Sequence, residues 1–83
     1  MQIETLEDPI EVDVRFGARG MRPVGFVWQG RRRVIRDVTC AWSERDGMLV
    51  HRWFAVSDGH AVYELRFDAR ALRWHLMKVA LEG

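Results

Sequence analysis

Apolar and polar residues alternate along most of this chain in short stretches, and turn-forming residues separate one stretch from the next. In a β-strand every second side chain lies on the same face, so a period of two is typical of strands with one buried face. These stretches are rich in β-branched and aromatic residues, which suit a pleated, half-buried surface. They cover residues 10–15, 24–28, 38–42, 48–57, 60–67 and 72–77. The pattern predicts an all-β protein built from consecutive hairpins.

A chain of consecutive hairpins must close or half-close its sheet, because exposed strand edges pair with other molecules. We therefore expect a small five- or six-stranded barrel of the SH3-like or OB-like type. The 83 residues allow one domain with one hydrophobic core. This barrel is predicted to span residues 10–83. Residues 1–9 are acidic and end at Asp8-Pro9, which favours an extended dipeptide or a turn, so we expect a loosely held lead-in there.

The first predicted hairpin turns at Gln29-Gly30, where glycine can adopt the positive φ that a tight turn requires. Two registers are compatible with the sequence. A two-residue loop pairs Val24 with Ile35, whereas a three-residue loop pairs Phe26 with Val34. The two registers turn the arginines that follow the loop to opposite faces of the sheet.

The stretch after this hairpin places Val38, Cys40 and Trp42 in phase. Cys40 is therefore predicted to be a small core residue. Ile35 and Val38 lie at positions of opposite parity. With a two-residue loop, a β-bulge near Asp37 would be needed to turn both of them inward.

Asp58-Gly59 is the strongest short-range hairpin signal in the chain, because both central residues of a type I′ turn need positive φ. A two-residue loop at this position pairs Phe54 with Tyr63 on a face that is plainly apolar. The core of this hairpin is predicted to consist of Phe54, Tyr63, Leu65 and Phe67. The same register leaves Trp53 on the outer surface beside Glu64.

The last stretch allows two interpretations. Leu72, Trp74 and Leu76 alternate as in a strand, but Leu72, Leu76 and Val79 also fall at helical spacing within residues 69–81. The strand is preferred, because the preceding turn is short and Trp74 suits a strand.

Cysteine content and hydropathy indicate a cytoplasmic location. The single cysteine cannot form an intrachain disulfide, and the sequence shows no signal-peptide pattern. No apolar run approaches the roughly 20 residues that a membrane-spanning helix needs. We therefore expect no association with a membrane. The sequence leaves the oligomeric state open.

Charge is unevenly distributed along the chain, although its net value is only +1. Residues 1–14 carry five acidic and no basic side chains, and residues 15–36 carry seven arginines and no acidic side chain. The basic stretch is either a docking patch for phosphate or is neutralised by the acidic segment lying beside it. Both interpretations fit the sequence.

Several short segments of the chain resemble a known family. They are Phe26-Val27-Trp28-Gln29-Gly30-Arg31-Arg32, Val38, Trp42, Val62-Tyr63-Glu64-Leu65, and Arg73-Trp74 with Leu76. These residues resemble a family of short bacterial domains of unknown function. That family occurs as small stand-alone proteins and at the C-terminal tail of the polymerase-like accessory protein of the Y-family mutagenic repair system. The resemblance implies a DNA-repair context and no particular mechanism, and it departs at Arg33, where the family pattern has an aromatic residue.

No motif in the sequence predicts catalysis or metal binding. His51, His60, His75 and Cys40 do not stand in the spacings of zinc sites, and no glycine-rich phosphate loop precedes a helix. Carboxylates for acid-base chemistry would need a cleft, which a domain of this size rarely offers. We therefore expect no enzymatic activity, no metal and no cofactor.

Arginines and tryptophans are the remaining candidates for function. Both residue types are enriched in the binding hot spots of protein interfaces, and small barrels also bind single-stranded nucleic acid with basic grooves and exposed aromatic rings. We predict a non-catalytic protein-docking or adaptor module, with weak single-stranded nucleic-acid binding as the alternative. The candidate binding residues are Arg31, Arg32, Arg33, Arg36, Trp53 and Arg66.

Overall fold

A computed structural model of the chain describes residues 2–81, which form one sheet of seven antiparallel strands. The strands are β1 (Gln2–Gly17), β2 (Gly20–Trp28), β3 (Arg31–Val34), β4 (Asp37–Asp46), β5 (Leu49–Ser57), β6 (Ala61–Asp68) and β7 (Arg73–Leu81). The prediction of an all-β fold is confirmed. Among these residues there are seven strands, and not the five or six expected.

The strands are arranged in the order β3-β2-β1-β7-β6-β5-β4. Consecutive strands pair with each other except for β3 and β4, and β1 pairs with β7. β3 and β4 are therefore the two edges of the sheet, although only Ile35 and Arg36 separate them in sequence. We call the unpaired gap between these two strands the seam. Because the sheet stays open at the seam, the predicted barrel is not confirmed.

β1 is the strand that connects the two parts of the sheet. Its residues up to Ile10 pair with β7, and its residues from Glu11 onward pair with β2. The acidic segment expected to be a loose lead-in therefore forms half of this strand. Leu6 packs against the core, and the half-buried Asp8 accepts a hydrogen bond from Trp28 Nε1 at 3.1 Å. This hydrogen bond offsets the free-energy cost of partly removing the Asp8 carboxylate from water.

The hydrophobic core lies between β2 and the strands β5, β6 and β7. Phe26 of β2 packs edge-to-face on Tyr63 of β6, with ring centroids 5.0 Å apart. The ring centroid of Trp74 of β7 lies 5.6 Å from that of Phe54 and 4.8 Å from that of Phe67. The buried core consists of Phe26, Phe54, Val56, Ala61, Tyr63, Leu65, Trp74, Leu76 and Val79. The predicted core face of the second hairpin is thus confirmed, with Phe67 partly buried at its margin.

The first hairpin has the two-residue loop. Both residues of the Gln29-Gly30 loop adopt positive φ, at 53° and 71°. A type I′ turn requires this, and its twist matches that of the strands it joins. Phe26 therefore pairs with Arg33 and Trp28 pairs with Arg31, so both arginines share the face of the core residues on β2.

A β-bulge in β4 reverses the predicted faces of Cys40 and Trp42. Val38 pairs with Val56 on the core side, but the register shifts at Thr39, so Cys40 and Trp42 pair with Ala55 and Trp53 on the outer face. Cys40 is exposed, and the prediction that it is a core residue is wrong. The bulge lies two residues later than predicted, and the alternation of apolar residues does not reveal it.

The loop between β5 and β6 consists of three residues, Asp58, Gly59 and His60, and the predicted two-residue loop is wrong. Its register is displaced by two residues, which leaves every side chain on its predicted face. Only Gly59 in this loop adopts positive φ, at 95°. The carboxylate of Asp58 accepts hydrogen bonds from the amides of His60 at 2.8 Å and Ala61 at 2.9 Å. These bonds favour the longer turn.

β7 confirms the strand interpretation of the C-terminal stretch. Its register against β6 shifts at Met77, which leaves one extra residue on β7. Because of this extra residue Leu76 and Val79 are both buried, which accounts for their helix-like spacing. Leu72 lies in the turn before the strand with a φ of 55°. In the described part of the chain no helix has the length and apolarity needed to cross a membrane.

Candidate binding site

The six predicted site residues lie in two separate places. The four arginines between 31 and 36 line one open cleft, which we call the arginine cleft. Trp53 and Arg66 are paired with each other on β5 and β6, on the face of the sheet away from the core. The structure therefore does not bring Trp53 together with the arginines of β3.

The arginine cleft has a volume of about 510 Å³, which lies in the range of ligand-binding sites. β3 forms one wall, and the β5–β6 loop together with the beginning of β6 forms the opposite wall. The lining residues are Arg31, Arg32, Arg33, Val34, Arg36, Asp58, His60, Ala61, Tyr63 and Leu81. Four of them are arginines and only one is a carboxylate, so the cleft is electropositive.

Only one of the four arginines is neutralised by an ion pair within residues 2–81. Arg32 forms an ion pair with Asp13 of β1. The two side chains meet beside Gly25, where a Cβ atom would lie 3.6 Å from Asp13 Oδ2 and 3.8 Å from Arg32 Nη1. The other three arginines have no ion-pair partner in this part of the chain. Neutralisation by the acidic segment, one of the two interpretations of the sequence, therefore applies to Arg32 alone in this cleft.

Arg33 extends from β3 towards the core and forms the floor of the cleft. Its guanidinium carbon lies 4.8 Å from the centre of the Trp28 ring and 5.9 Å from the centre of the Tyr63 ring. Its Nη1 donates a hydrogen bond to Tyr63 Oη at 3.2 Å. Its Nε is buried and has no hydrogen-bond partner among residues 2–81. The aromatic rings thus position this guanidinium, while its Nε–H group has no acceptor among the described residues.

Tyr63 and Asp58 connect the floor of the cleft to the β5–β6 loop. The Tyr63 hydroxyl donates to Asp58 Oδ2 at 2.8 Å while accepting the bond from Arg33. Burial of the hydroxyl and its bond to the carboxylate raise the pKa of Tyr63 above its usual value. Burial alone would raise the pKa of Asp58 as well. The hydrogen bonds from His60, Ala61 and Tyr63 outweigh it and hold that pKa below 3.8.

Arg36 lies against the β5–β6 loop at the seam. Its backbone amide donates to the carbonyl oxygen of Ser57 at 2.8 Å. Its guanidinium occupies the space beside Gly59, where a Cβ atom would lie only 2.8 Å from Arg36 Nη1. The glycine therefore provides both the positive φ of the loop and the room for this arginine.

The second group of predicted residues belongs to a row of side chains across the outer face, which we call the tryptophan row. Trp42, Trp53, Arg66 and His75 stand directly opposite one another on β4, β5, β6 and β7. Arg66 also donates to Glu7 Oε1 of β1 at 3.3 Å. The neighbour of Trp53 is thus Arg66, and not Glu64 as predicted, because of the displaced hairpin register.

Both faces of the Trp53 ring are covered by its neighbours in this row. The Trp42 ring stacks on it with centroids 5.7 Å apart and an interplanar angle of 11°. On the side of β6, the guanidinium carbon of Arg66 lies 6.0 Å from the ring centre. Stacking of a nucleic-acid base on Trp53 would require one of these neighbours to move.

The other three arginines of the basic stretch lie far from the arginine cleft. Arg15, Arg19 and Arg22 are exposed around the turn between β1 and β2. The β2–β3 turn lies at the opposite end of β2, roughly 25 Å away by the rise of a strand. The seven arginines are therefore divided between two ends of the molecule.

Side chains suited to metal binding or nucleophilic chemistry do not cluster in the described part of the chain. No group of three histidine, cysteine or carboxylate side chains is placed to hold a metal ion among residues 2–81. Cys40 is exposed on β4. His60 lines the arginine cleft, whereas His51 and His75 lie on the outer face.

The sequence alone does not indicate that Asp58, His60 and Tyr63 line the cleft. The sequence predicts Tyr63 as a core residue, and its ring is buried, but its hydroxyl reaches the cleft. The sequence predicts Asp58 as part of a turn. Their common location depends on the folding of β6 against β2 and β3, for which the sequence contains no local signal.

Comparison of the chain with protein-family models, with curated proteins and with solved structures gives no match. The resemblance to the repair-associated family of short bacterial domains therefore stays a prediction.

Proposed function

We propose that the protein is a non-catalytic docking module that binds an acidic segment of a partner protein in the arginine cleft. The observation that carries this proposal is the convergence of Arg31, Arg33 and Arg36 on one open cleft, with no carboxylate partner among residues 2–81. Guanidinium groups bind carboxylates with two parallel hydrogen bonds, which makes them suited to acidic side chains.

The side chains at the rim of the cleft also favour a protein as the partner. Val34 and Leu81 line it and are 65% and 47% exposed. Exposed aliphatic side chains beside arginines are typical of protein interfaces, where apolar contacts accompany a few charged ones. An acidic segment that also carries apolar residues would fit both features of this surface.

Binding of single-stranded nucleic acid is the second candidate, because the same guanidinium groups bind phosphate. Non-specific binding of this kind also uses aromatic rings as stacking platforms. The ring of Tyr63 is only 2% exposed, Arg33 covers a face of Trp28, and Trp53 lies in the tryptophan row away from the cleft. This lack of a stacking platform favours the acidic protein segment. A role in DNA repair would be compatible with either partner and rests on the family resemblance alone.

Fluorescence anisotropy with two labelled probes tests the proposal. The first probe is a peptide of about eight residues in which glutamate and threonine alternate, and the second is an oligothymidine of about 12 nucleotides. We expect the peptide to bind at about 20 mM salt, where exposed charges are weakly screened. The double substitution Arg31→Ser and Arg36→Ser should weaken its binding about tenfold or more, since each charged hydrogen bond contributes about 1.5–3 kcal/mol.

The control is the double substitution Arg15→Ser and Arg19→Ser, which removes the same charge at the far end of β2. It should change the affinity less than about twofold, as should Trp53→Ala. If the oligothymidine binds with a steep salt dependence and the peptide does not, the nucleic-acid alternative is correct. Failure of both probes to bind at low salt would show that the arginine cleft is not a docking site.

A further inference from the structure

The free edge of β3 forms a wall of the arginine cleft. In an antiparallel pair, the backbone N–H and C=O groups of one residue bond to the partner strand, and those of the next residue point away from it. The amide of Ile35 donates to the carbonyl of Val24 at 3.0 Å, so the bonded positions are Ile35 and, by the register, Arg33 and Arg31. The backbone groups of Arg32 and Val34 therefore point away from β2.

No strand pairs with this edge in the described part of the chain. β3 pairs only with β2, and β4 on the other side of the seam pairs only with β5. All four residues of β3 line the cleft. The backbone donors and acceptors of Arg32 and Val34 thus face an open space of about 510 Å³.

The side chains on this edge determine which strand could be added to it. Arg31 and Arg33 lie on the core side, and Arg36 follows at the seam. In an added strand, every second side chain would lie on the same side as these arginines. A complementary strand therefore carries acidic residues at alternating positions. A second copy of β3 does not meet this requirement, because it would bring three further arginines against the first three.

We propose that the partner's acidic segment binds as an additional β-strand on the free edge of β3, with an acidic residue at every second position. This inference rests on the proposed docking function and specifies how it operates. Main-chain hydrogen bonds to Arg32 and Val34 supply affinity, and the alternating acidic side chains supply specificity through the arginines.

N-methylated peptides test the strand addition. The alternating glutamate–threonine peptide is prepared in two forms, one methylated at the glutamate amides and one at the threonine amides. Methylation removes the hydrogen-bond donor but keeps every charge. In a β-ladder only one of the two sets points towards β3. We expect one form to lose about tenfold or more in affinity while the other binds within about twofold of the parent.

Amide hydrogen exchange of the protein provides the second measurement. At saturating peptide, the amides of Arg32 and Val34 should exchange about tenfold or more slowly than in the free protein. The amides of Arg31 and Arg33 are bonded to β2 in either state and serve as the internal control. A peptide of the same composition with its glutamates in one block should bind more weakly.

The outcomes separate this inference from the function on which it rests. Equal affinities of the two methylated forms, or unchanged exchange of Arg32 and Val34 in a peptide that binds, would overturn strand addition and leave the docking function intact. Absence of binding by the unmodified peptide at about 20 mM salt would contradict both.

Discussion

At the scale of single residues, Tyr63 links the hydrophobic core to the arginine cleft. Its ring packs on Phe26, and its hydroxyl stands between Arg33 and Asp58. Asp58 in turn holds the amides of the β5–β6 loop. One carboxylate therefore supports the turn and, through the Tyr63 hydroxyl, the position of the guanidinium on the floor of the cleft.

Replacement of this carboxylate should lower stability in a manner that depends on pH. We expect Asp58→Ala to lose about 1–3 kcal/mol of unfolding free energy at pH 7, because three hydrogen-bond donors lose their acceptor. The pKa of Asp58 is lowered from 3.8 in the folded protein. Its stabilising effect is therefore complete above that value and is lost as the pH falls through the folded pKa. Urea unfolding of both proteins at several pH values should show the difference shrinking below about pH 4.

Asp68→Ala is the matched control for this experiment. Asp68 also accepts hydrogen bonds from two loop amides, those of Arg70 and Ala71, but it bonds to no tyrosine hydroxyl. It should lose less stability than Asp58→Ala. An equal loss in the two variants would mean that the bond between Asp58 and Tyr63 contributes nothing measurable.

The sequence predicts the burial of a side chain correctly where the alternation of apolar and polar residues alone determines which face it lies on. The apolar positions of β5 and β6 were identified as core for this reason. Cys40 was misplaced because a single extra residue at Thr39 reverses every face that follows it. The place of Arg33 between Trp28 and Tyr63 follows from the loop register, which the sequence leaves open.

At the scale of elements, the turns decide how the strands pair. The Gln29-Gly30 turn contains a glutamine at a φ of 53°, a conformation that residues other than glycine, asparagine and aspartate adopt at a cost. This turn sets the register that brings Arg31 and Arg33 to the cleft. The predicted type I′ turn at Asp58-Gly59 was wrong because side-chain hydrogen bonds to loop amides are not visible in a turn signature.

Substitution of this glutamine offers a test of the turn assignment. We expect Gln29→Asn to increase the unfolding free energy by about 0.5–1 kcal/mol, because asparagine is preferred at this position of a type I′ turn. Gln2→Asn, at an exposed strand position of β1, is the control and should not stabilise the protein. Chemical denaturation of the two variants measures both effects. A loss of stability in Gln29→Asn would show that the loop does not adopt the type I′ conformation.

At the scale of the whole molecule, the pairing of β1 with β7 determines the architecture. It joins the first strand to the last strand, places β3 and β4 at the edges, and so leaves the seam beside which the arginine cleft lies. The sequence predicted an all-β fold of hairpins because each hairpin has local signals. It does not predict the pairing of β1 with β7, because no turn joins these two strands.

Removal of residues 1–9 tests whether this segment is a loose lead-in, as the sequence predicts, or contributes to stability as part of β1. The shortened chain would lose most of the pairing between β1 and β7, together with the contacts of Leu6, the Asp8–Trp28 hydrogen bond and the Glu7–Arg66 ion pair. It would also expose β7 as a third edge, which favours aggregation. We expect the domain to unfold or to lose several kcal/mol of the roughly 5–15 kcal/mol that stabilises a small protein. Circular dichroism and urea unfolding measure this change.

The control for charge is the full-length double substitution Glu4→Gln and Glu11→Gln, which removes two exposed acidic groups and keeps the strand. It should unfold close to the unmodified protein, because exposed charges without an ion pair contribute little to stability. The shortened chain should differ from both. If its midpoint lay within about 0.3 M urea of the full-length midpoint, a difference of less than about 1 kcal/mol, residues 1–9 would be the dispensable lead-in that the sequence suggested. A large loss confined to the shortened chain would instead establish that the β1–β7 pair holds together the two parts of the sheet, and with them the two walls of the cleft.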